Sequence, residues 1–171
     1  MIENAAASFA MALIPLLFFG VLAAAAISDL ISFRIPNILP VLLLVIFLVY
    51  VPILPVPWPD ALFHLGAGLA MLAIGWMLFA LGLLGGGDAK LFAAISLWMG
   101  WGGLASYLII FSICGGILAL LLLLFRRLPL PGRFSVHPWI VSLHDKNQGV
   151  PYGIALAAGA IIARPELLQI A

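Results

Sequence analysis

Charged residues and cysteines are scarce in this chain. Of its 171 residues only 8% are charged, the formal net charge is +1, and Cys114 is the single cysteine. The balanced charge does not indicate a nucleic-acid partner. One cysteine within an apolar run excludes a disulfide framework and a thiolate metal cluster. The chain is 66% hydrophobic with a mean hydropathy of +1.32, more apolar than a soluble core of this size requires. We therefore expect an all-α polytopic membrane protein, with residues 1–171 forming a single membrane-embedded domain.

A basic leading region is also missing. Glu3 is the only charged residue before Asp29, and the uncharged run from Asn4 to Ser28 exceeds the apolar core of a secretory signal peptide, which is about 7–15 residues long. We interpret residues 6–28 as a retained first transmembrane helix.

Apolar runs of about 20 residues, the length that crosses a bilayer as a helix, occur repeatedly. Besides the first helix, they predict helices over residues 38–56 and 61–84. The segment from Val51 to Asp60 is rich in proline and tryptophan and is typical of a turn at a membrane surface.

A longer uncharged run extends from Leu91 to Phe125. As one helix it would be roughly 50 Å long, whereas the hydrocarbon core is about 30 Å thick. Gly100, Gly102 and Gly103 interrupt this run, so we expect a hairpin of two helices. With a last helix from about Val150, the prediction is a protein of about six transmembrane helices.

The lysines and arginines test this count. With six spans, one membrane face carries six of these residues and the other carries only Arg164. The six are Arg34, Lys90, Arg126, Arg127, Arg133 and Lys146. A single span over residues 91–125 would divide them three to four, which fits the positive-inside rule less well. Both termini are therefore predicted outside the cell. The arginines of the last loop are interpreted as a topology and lipid-headgroup signal.

Two aspartates, Asp29 and Asp88, lie at the edges of apolar stretches, with two predicted spans between them. Because two spans bring the chain back to the face it left, the two aspartates lie at the same membrane face. A carboxylate placed centrally in a membrane costs about 2.5–3.5 kcal/mol, so acids at such positions usually have a function. This pairing indicates acid/base chemistry or ion handling.

Each aspartate also has a purely structural interpretation. In Gly85-Gly86-Gly87-Asp88, the glycines could end the third helix and Asp88 could be the N-cap of the fourth. Asp29 could end the first helix in a pair with Arg34, although a carboxylate is slightly unfavourable at a helix C-terminus. Each segment alone leaves both interpretations open.

Taken together, three segments resemble the type IV prepilin peptidases, which are GxGD-type intramembrane aspartyl proteases. The segments are Asp29 with Arg34-Ile35-Pro36-Asn37, then Gly85-Gly86-Gly87-Asp88-Ala89-Lys90, then Val150-Pro151-Tyr152-Gly153-Ile154-Ala155. They occur in the order of that family and at its approximate spacing. The chain lacks the paired CxxC motifs of the long bifunctional members, so a zinc-binding methyltransferase segment is not expected. It is more similar to the short peptidases of tight-adherence (Flp) pilus systems, and less closely to archaeal preflagellin peptidases.

The resemblance implies that Asp29 and Asp88 are the catalytic pair. The chemistry fits, because amide hydrolysis needs a base to activate water and an acid to protonate the carbonyl or the leaving amine. Two carboxylates in one site do not both ionise cheaply, so one keeps a proton and both roles are filled. Which aspartate holds the proton is a property of the pair.

Supporting roles are expected for the other motif residues. Gly85 and Gly87 are predicted to act through backbone geometry, with a positive φ as the reason for glycine. Lys90 points away from Asp88 on a helix and is expected to reach the headgroups or to seat the loop. The remaining supporting residues, Arg34, Pro36 and Asn37, are expected to shape the first loop. Pro151-Tyr152-Gly153 opens the last helix, where a structural role is favoured over packing beside the active site.

No metal or cofactor is expected. His64, His137 and His144 have no further ligands at metal-binding spacing, so they are interpreted as satisfied or solvated side chains.

Three functions follow from these residues and the resemblance. The first is a membrane aspartyl endopeptidase of the bacterial inner membrane, acting at its cytoplasmic face. Its partner is a prepilin substrate, a single hydrophobic helix with a basic leader, cut after a glycine. The second is a small proton-coupled transporter that uses the aspartates as a relay, although no internal repeat is apparent. The third is a non-catalytic assembly protein.

Overall fold

The chain is all-helical in the part that the structure describes. A computed structural model describes residues 2–53, 57–130 and 138–163, without the side chains of residues 2–12 and Tyr50. The helices are α1 (Ile2–Ser32), α2 (Ile38–Ile53), α3 (Trp58–Ala80), α4 (Gly86–Phe125), α5 (Pro138–His144) and α6 (Tyr152–Ala163). No strand occurs in these ranges. The region of the interfacial turn at residues 54–56, together with Arg133, His137 and Arg164, lies outside them.

Three helices are long and apolar enough to cross a membrane: α1 from Leu13 onwards, α3 and α4. The helices α2 and α6 are apolar but shorter. Large apolar side chains on the outer surfaces of the helices are exposed, for example Trp58 at 74% and Trp76 at 68% on α3, as expected for contact with lipid. The predicted all-α membrane fold is confirmed.

The long helix α4 folds back on itself at Gly100, which has φ 59° and ψ 177°. The rings of Phe92 and Phe111 lie 5.9 Å apart, whereas an unbroken helix would separate them by about 28 Å. The halves 86–99 and 101–125 therefore form the predicted hairpin. A Cβ on Gly100 would lie 2.7 Å from the ring of His64, whose Nδ1 donates to the Leu97 carbonyl. His64 is thus a satisfied side chain at the hairpin, as the sequence predicted.

Helix α3 begins and ends earlier than the predicted range of residues 61–84. It ends at Ala80 because Gly82, at φ 72°, reverses the chain. The N–H of Gly82 bonds the Phe79 carbonyl and that of Leu83 bonds the Leu78 carbonyl, both at 2.9 Å, which is a Schellman motif. The glycine that ends this helix is therefore Gly82, so the structural interpretation in which the run Gly85–Gly87 ends it does not hold.

Aromatic rings fill the centre of the bundle. Phe18 of α1 and Phe47 of α2 both pack against Trp98 of α4, with ring centroids 4.7 and 5.6 Å away. The indole Nε1 of Trp98 donates to the Leu43 carbonyl at 3.0 Å, so its buried N–H is satisfied. This cluster joins α1, α2 and the first half of α4.

The loops after α1, α3 and α4 meet at one end of the bundle. Lys90 contacts Asn37, Arg126 contacts Gly149, and Gly153 contacts Asp29. The described basic residues of the predicted basic face are Arg34, Lys90, Arg126, Arg127 and Lys146. They lie on the segments that meet here, in agreement with the predicted grouping.

Candidate active site

Asp29 lies in the last turn of α1 and is only 4% exposed. Its Oδ2 accepts a hydrogen bond of 2.7 Å from the backbone N–H of Gly153. Gly153 is in the first turn of α6, where N–H groups have no partner within the helix and the helix dipole favours a negative charge. The start of α6 therefore holds the carboxylate in place.

Gly153 has no room for a side chain. A Cβ there would lie 2.9 Å from both Cβ and Oδ2 of Asp29, and 3.1 Å from Cδ1 of Ile35. From the sequence we expected a structural role for Pro151-Tyr152-Gly153, and this direct contact with Asp29 was not predicted. The available signal was a glycine, Gly153, in a motif at the start of a helix. It did not indicate Asp29 as the partner, because the two residues are 124 positions apart in the chain.

Asp88 is the third residue of α4, whose N-cap is Gly85. Asp88 is therefore not the N-cap that its purely structural interpretation required. The Asp88 carboxyl turns back to the N-cap, where a Cβ on Gly85 would lie 2.6 Å from its Oδ2. Its other oxygen, Oδ1, is buried without a hydrogen-bond partner in the described part of the chain. A buried acceptor of this kind ordinarily binds water or a ligand group.

The two aspartates line one cavity of about 370 Å³. The other lining residues are Phe33, Gly82, Leu83, Leu84, Gly85, Gln148, Gly149, Val150 and Tyr152. The fold thus brings both predicted catalytic residues to a common space that is large enough for several water molecules or for part of a peptide.

The turn after Asp29 is strained at Phe33, which has φ 53°. A left-handed conformation at a residue with a side chain costs about 1–3 kcal/mol and is found mainly where function or packing requires it. The hydroxyl of Ser28 donates to the Arg34 carbonyl at 2.8 Å, and that of Ser32 does so at 3.3 Å. These bonds stabilise the turn that places the Phe33 side chain at the cavity.

The supporting glycines act through close contact. Gly85 has φ −69°, and Gly87 is not among the described glycines with positive φ, so the predicted backbone reason is wrong. A Cβ on Gly85 would lie 2.6 Å from Oδ2 of Asp88. A Cβ on Gly87 would lie 3.0 Å from the carbonyl oxygen of Ile35. Ile35 therefore packs between Gly87 and Gly153 and joins the two aspartate-bearing segments.

The other predicted supporting residues lie outside the cavity lining. Lys90 is exposed and its Nζ donates to Oδ1 of Asn37 at 2.8 Å, which ties α4 to the start of α2. This contact is the one expected if Lys90 seats the loop. Arg34 and Pro36 are exposed, and their backbone carbonyls accept hydrogen bonds within the first loop.

Residues 138–151, which we call the strap, comprise α5 and the segment that joins it to α6. Gln148, Gly149 and Val150 of this segment line the cavity. The indole Nε1 of Trp139 donates to the Leu30 carbonyl of α1 at 2.7 Å. Arg126 is only 8% exposed, and it donates from Nε to the Leu143 carbonyl at 3.0 Å and from Nη2 to the Gly149 carbonyl at 3.1 Å. The interpretation of Arg126 as a headgroup signal is therefore wrong, because its guanidinium bonds the strap.

Within the described ranges, no group of three or more His, Cys, Asp or Glu side chains is placed to hold a metal ion. Among the described residues that line the cavity, Asp29 and Asp88 are the carboxylic acids.

Comparison with known families decides the class of the protein. The type IV leader peptidase family matches residues 16–120, more than half of the chain, and this range contains both Asp29 and Asp88. The chain belongs to this family. It is a membrane protein of peptidase type, and the predicted resemblance is confirmed.

The strap and α6 lie beyond the residues that match the leader peptidase family. The chain has no match among the curated proteins and none among the solved structures.

Proposed function

We propose that this leader peptidase is an aspartyl endopeptidase that removes the basic leader from type IV or Flp-type prepilins. The proposed site is the cavity shared by Asp29 and Asp88, and the scissile bond follows a glycine. The enzyme acts at the cytoplasmic face of a bacterial inner membrane. The observation that carries this proposal is that Asp29, which is buried, and Asp88, whose Oδ1 is buried, line one cavity in a chain of the leader peptidase family.

The arrangement supports a general acid–base mechanism. One ionised carboxylate takes a proton from a water molecule between the aspartates, and that water attacks the peptide carbonyl carbon. The other carboxyl, still protonated, donates its proton to the carbonyl oxygen. When the tetrahedral intermediate collapses, the leaving amine takes a proton and one carboxyl is ionised again. The unpaired Oδ1 of Asp88 is available to this water.

The short connection between α1 and α2 supports a short-form peptidase. Only residues 33–37 separate these two helices, and Cys114 is the only cysteine of the chain. A zinc-binding segment that would accompany methylation of the new N-terminus has no ligands here. We therefore propose proteolysis without methylation, and an Flp-type prepilin as the substrate.

Cleavage by the purified protein in proteoliposomes tests this function. A Flp-type prepilin with a basic leader should lose that leader, and mass spectrometry should place the new N-terminus directly after the glycine. A prepilin in which that glycine is replaced by a bulky residue is the matched control and should stay intact. An archaeal preflagellin in a parallel reaction tests the alternative substrate. No cleavage of the Flp-type prepilin, or cleavage at another bond, would contradict the proposal.

A further inference from the structure

Arg126 lies at a junction between the second half of α4 and the strap. It is the C-cap residue of α4, directly after Phe125. Its neighbour Arg127 is exposed, whereas Arg126 is buried and donates to carbonyls at two separate points of the strap, Leu143 and Gly149. A buried guanidinium loses its hydration, so such bonds are strongly held.

The second contact is close to the aspartate site. Gly149 lines the cavity, and four residues later Gly153 donates its N–H to Asp29. The intervening chain is stiff, because Pro151 is buried and has a fixed φ, and the N–H of Tyr152 bonds the Val150 carbonyl at 2.9 Å. Tyr152 in turn packs near Gly115 of α4, where a Cβ would lie 3.5 Å from its ring. The position of Gly149 therefore sets the position of the α6 start.

We infer that Arg126 is a positioning residue that orients the Asp29 carboxylate through the strap and the N–H of Gly153. This inference rests on the proposed function, because it assigns Arg126 a role in leader removal. The connection runs from Arg126 through residues 149–153, and all of these residues are outside the region matching the leader peptidase family.

A simple positive charge at the membrane surface would make a different prediction. Lysine carries the same charge and serves topology or headgroup binding equally well. It has one ammonium group, whereas the two bonds of Arg126 leave from different nitrogens of a planar fork. A lysine would have to reach both carbonyls from a single nitrogen, so it does not match the two separate donor positions that Arg126 uses.

Enzyme kinetics with matched variants test the inference. Initial rates of leader removal should be measured for Arg126→Lys, Arg126→Gln, Arg127→Lys and Arg127→Gln. Both Arg126 variants should lose about tenfold in kcat, equivalent to about 1.4 kcal/mol, with KM changed less than about threefold. Both Arg127 variants should keep the wild-type kcat. A wild-type kcat in Arg126→Lys would overturn the inference in favour of a charge role.

Hydrogen exchange gives a readout that does not depend on activity. In the full-length protein in detergent, peptides covering residues 143–153 should exchange faster in both Arg126 variants, including at the Gly153 amide. Unchanged exchange there would overturn the inference, even if activity fell. If the wild-type protein does not remove a leader, the proposed function fails, while the exchange experiment still decides whether Arg126 holds the strap.

Trp139→Phe provides a second variant in case the Arg126 variants do not fold. Phenylalanine keeps an aromatic ring but removes the N–H that bonds the Leu30 carbonyl, and Trp139 is 40% exposed. This change should also lower kcat with KM retained and should speed exchange in the strap. Wild-type kcat and exchange would contradict a positioning role for the strap.

Discussion

Gly153→Ala is the substitution for which the structure gives the sharpest expectation. The new methyl carbon would lie 2.9 Å from both Cβ and Oδ2 of Asp29, whereas ordinary contacts begin near 3.4 Å. Asp29 or the start of α6 must therefore move by about half an ångström. That movement lengthens or breaks the bond of 2.7 Å between the Gly153 N–H and Oδ2.

We expect Gly153→Ala to lower kcat while changing the free energy of unfolding only a little. Misplacing a catalytic group by about 1 Å can cost about 100-fold in rate, so half of that displacement should reduce kcat about tenfold. The added methyl group overpacks the site by about 1–3 kcal/mol, and alanine returns up to about 1 kcal/mol of helix propensity. The net change in the free energy of unfolding should stay within about 2 kcal/mol.

Leader removal by purified protein measures this effect, and thermal unfolding in the same detergent measures folding. Gly116→Ala is the matched control, because it makes the same change in α4 and a Cβ there has nothing within 4 Å. This control should cleave at the wild-type rate. Wild-type cleavage by Gly153→Ala would refute the reasoning that Gly153 sets the position of Asp29.

Three further expectations follow from the same structure. Gly87→Val should strongly reduce cleavage while the protein still inserts, because its side chain would collide with the Ile35 backbone; near-normal turnover would show that the two segments need not touch. Cleavage should persist in EDTA and N-ethylmaleimide, because the sequence has no metal-ligand cluster and Cys114 is its only thiol; loss on chelation that zinc restores would indicate a metalloprotease. After Cys114→Ser, a cysteine replacing Asn147 should be labelled only from the cytoplasm and one replacing Asp60 only from outside; the reverse pattern would contradict the predicted topology.

The helices and the hairpin could be predicted because membrane burial leaves strong signals in a sequence. Apolar runs near 20 residues identify the spans, and the run from Leu91 to Phe125 is too long for one of them. The two aspartates stood out because a carboxyl group is rare in such surroundings. In contrast, α5 has only seven residues, in a polar segment without a hydrophobic period, so nothing in the sequence indicated it.

The details of the site depend on contacts between distant segments, which composition does not encode. A charged side chain is ordinarily exposed, so the burial of Arg126 against the strap was not expected. The close packing of Gly85 and Gly87 was misread as a backbone requirement, because glycine serves both purposes and a sequence does not distinguish them. The bond from Gly153 to Asp29 depends on how α6 packs against α1.

Replacing the aspartates singly and together tests the central claim most directly. Asp→Asn keeps the size and hydrogen-bonding capacity of the side chain but removes the carboxyl that exchanges a proton. Asp29→Asn and Asp88→Asn should each abolish leader removal from a co-expressed prepilin, read as a mobility shift beside an expression control. The double variant should be no worse than either single one, because residues that share one catalytic step are strongly non-additive. Cleavage at a tenth of the normal rate or more in either single variant would remove that aspartate from the mechanism and contradict the account.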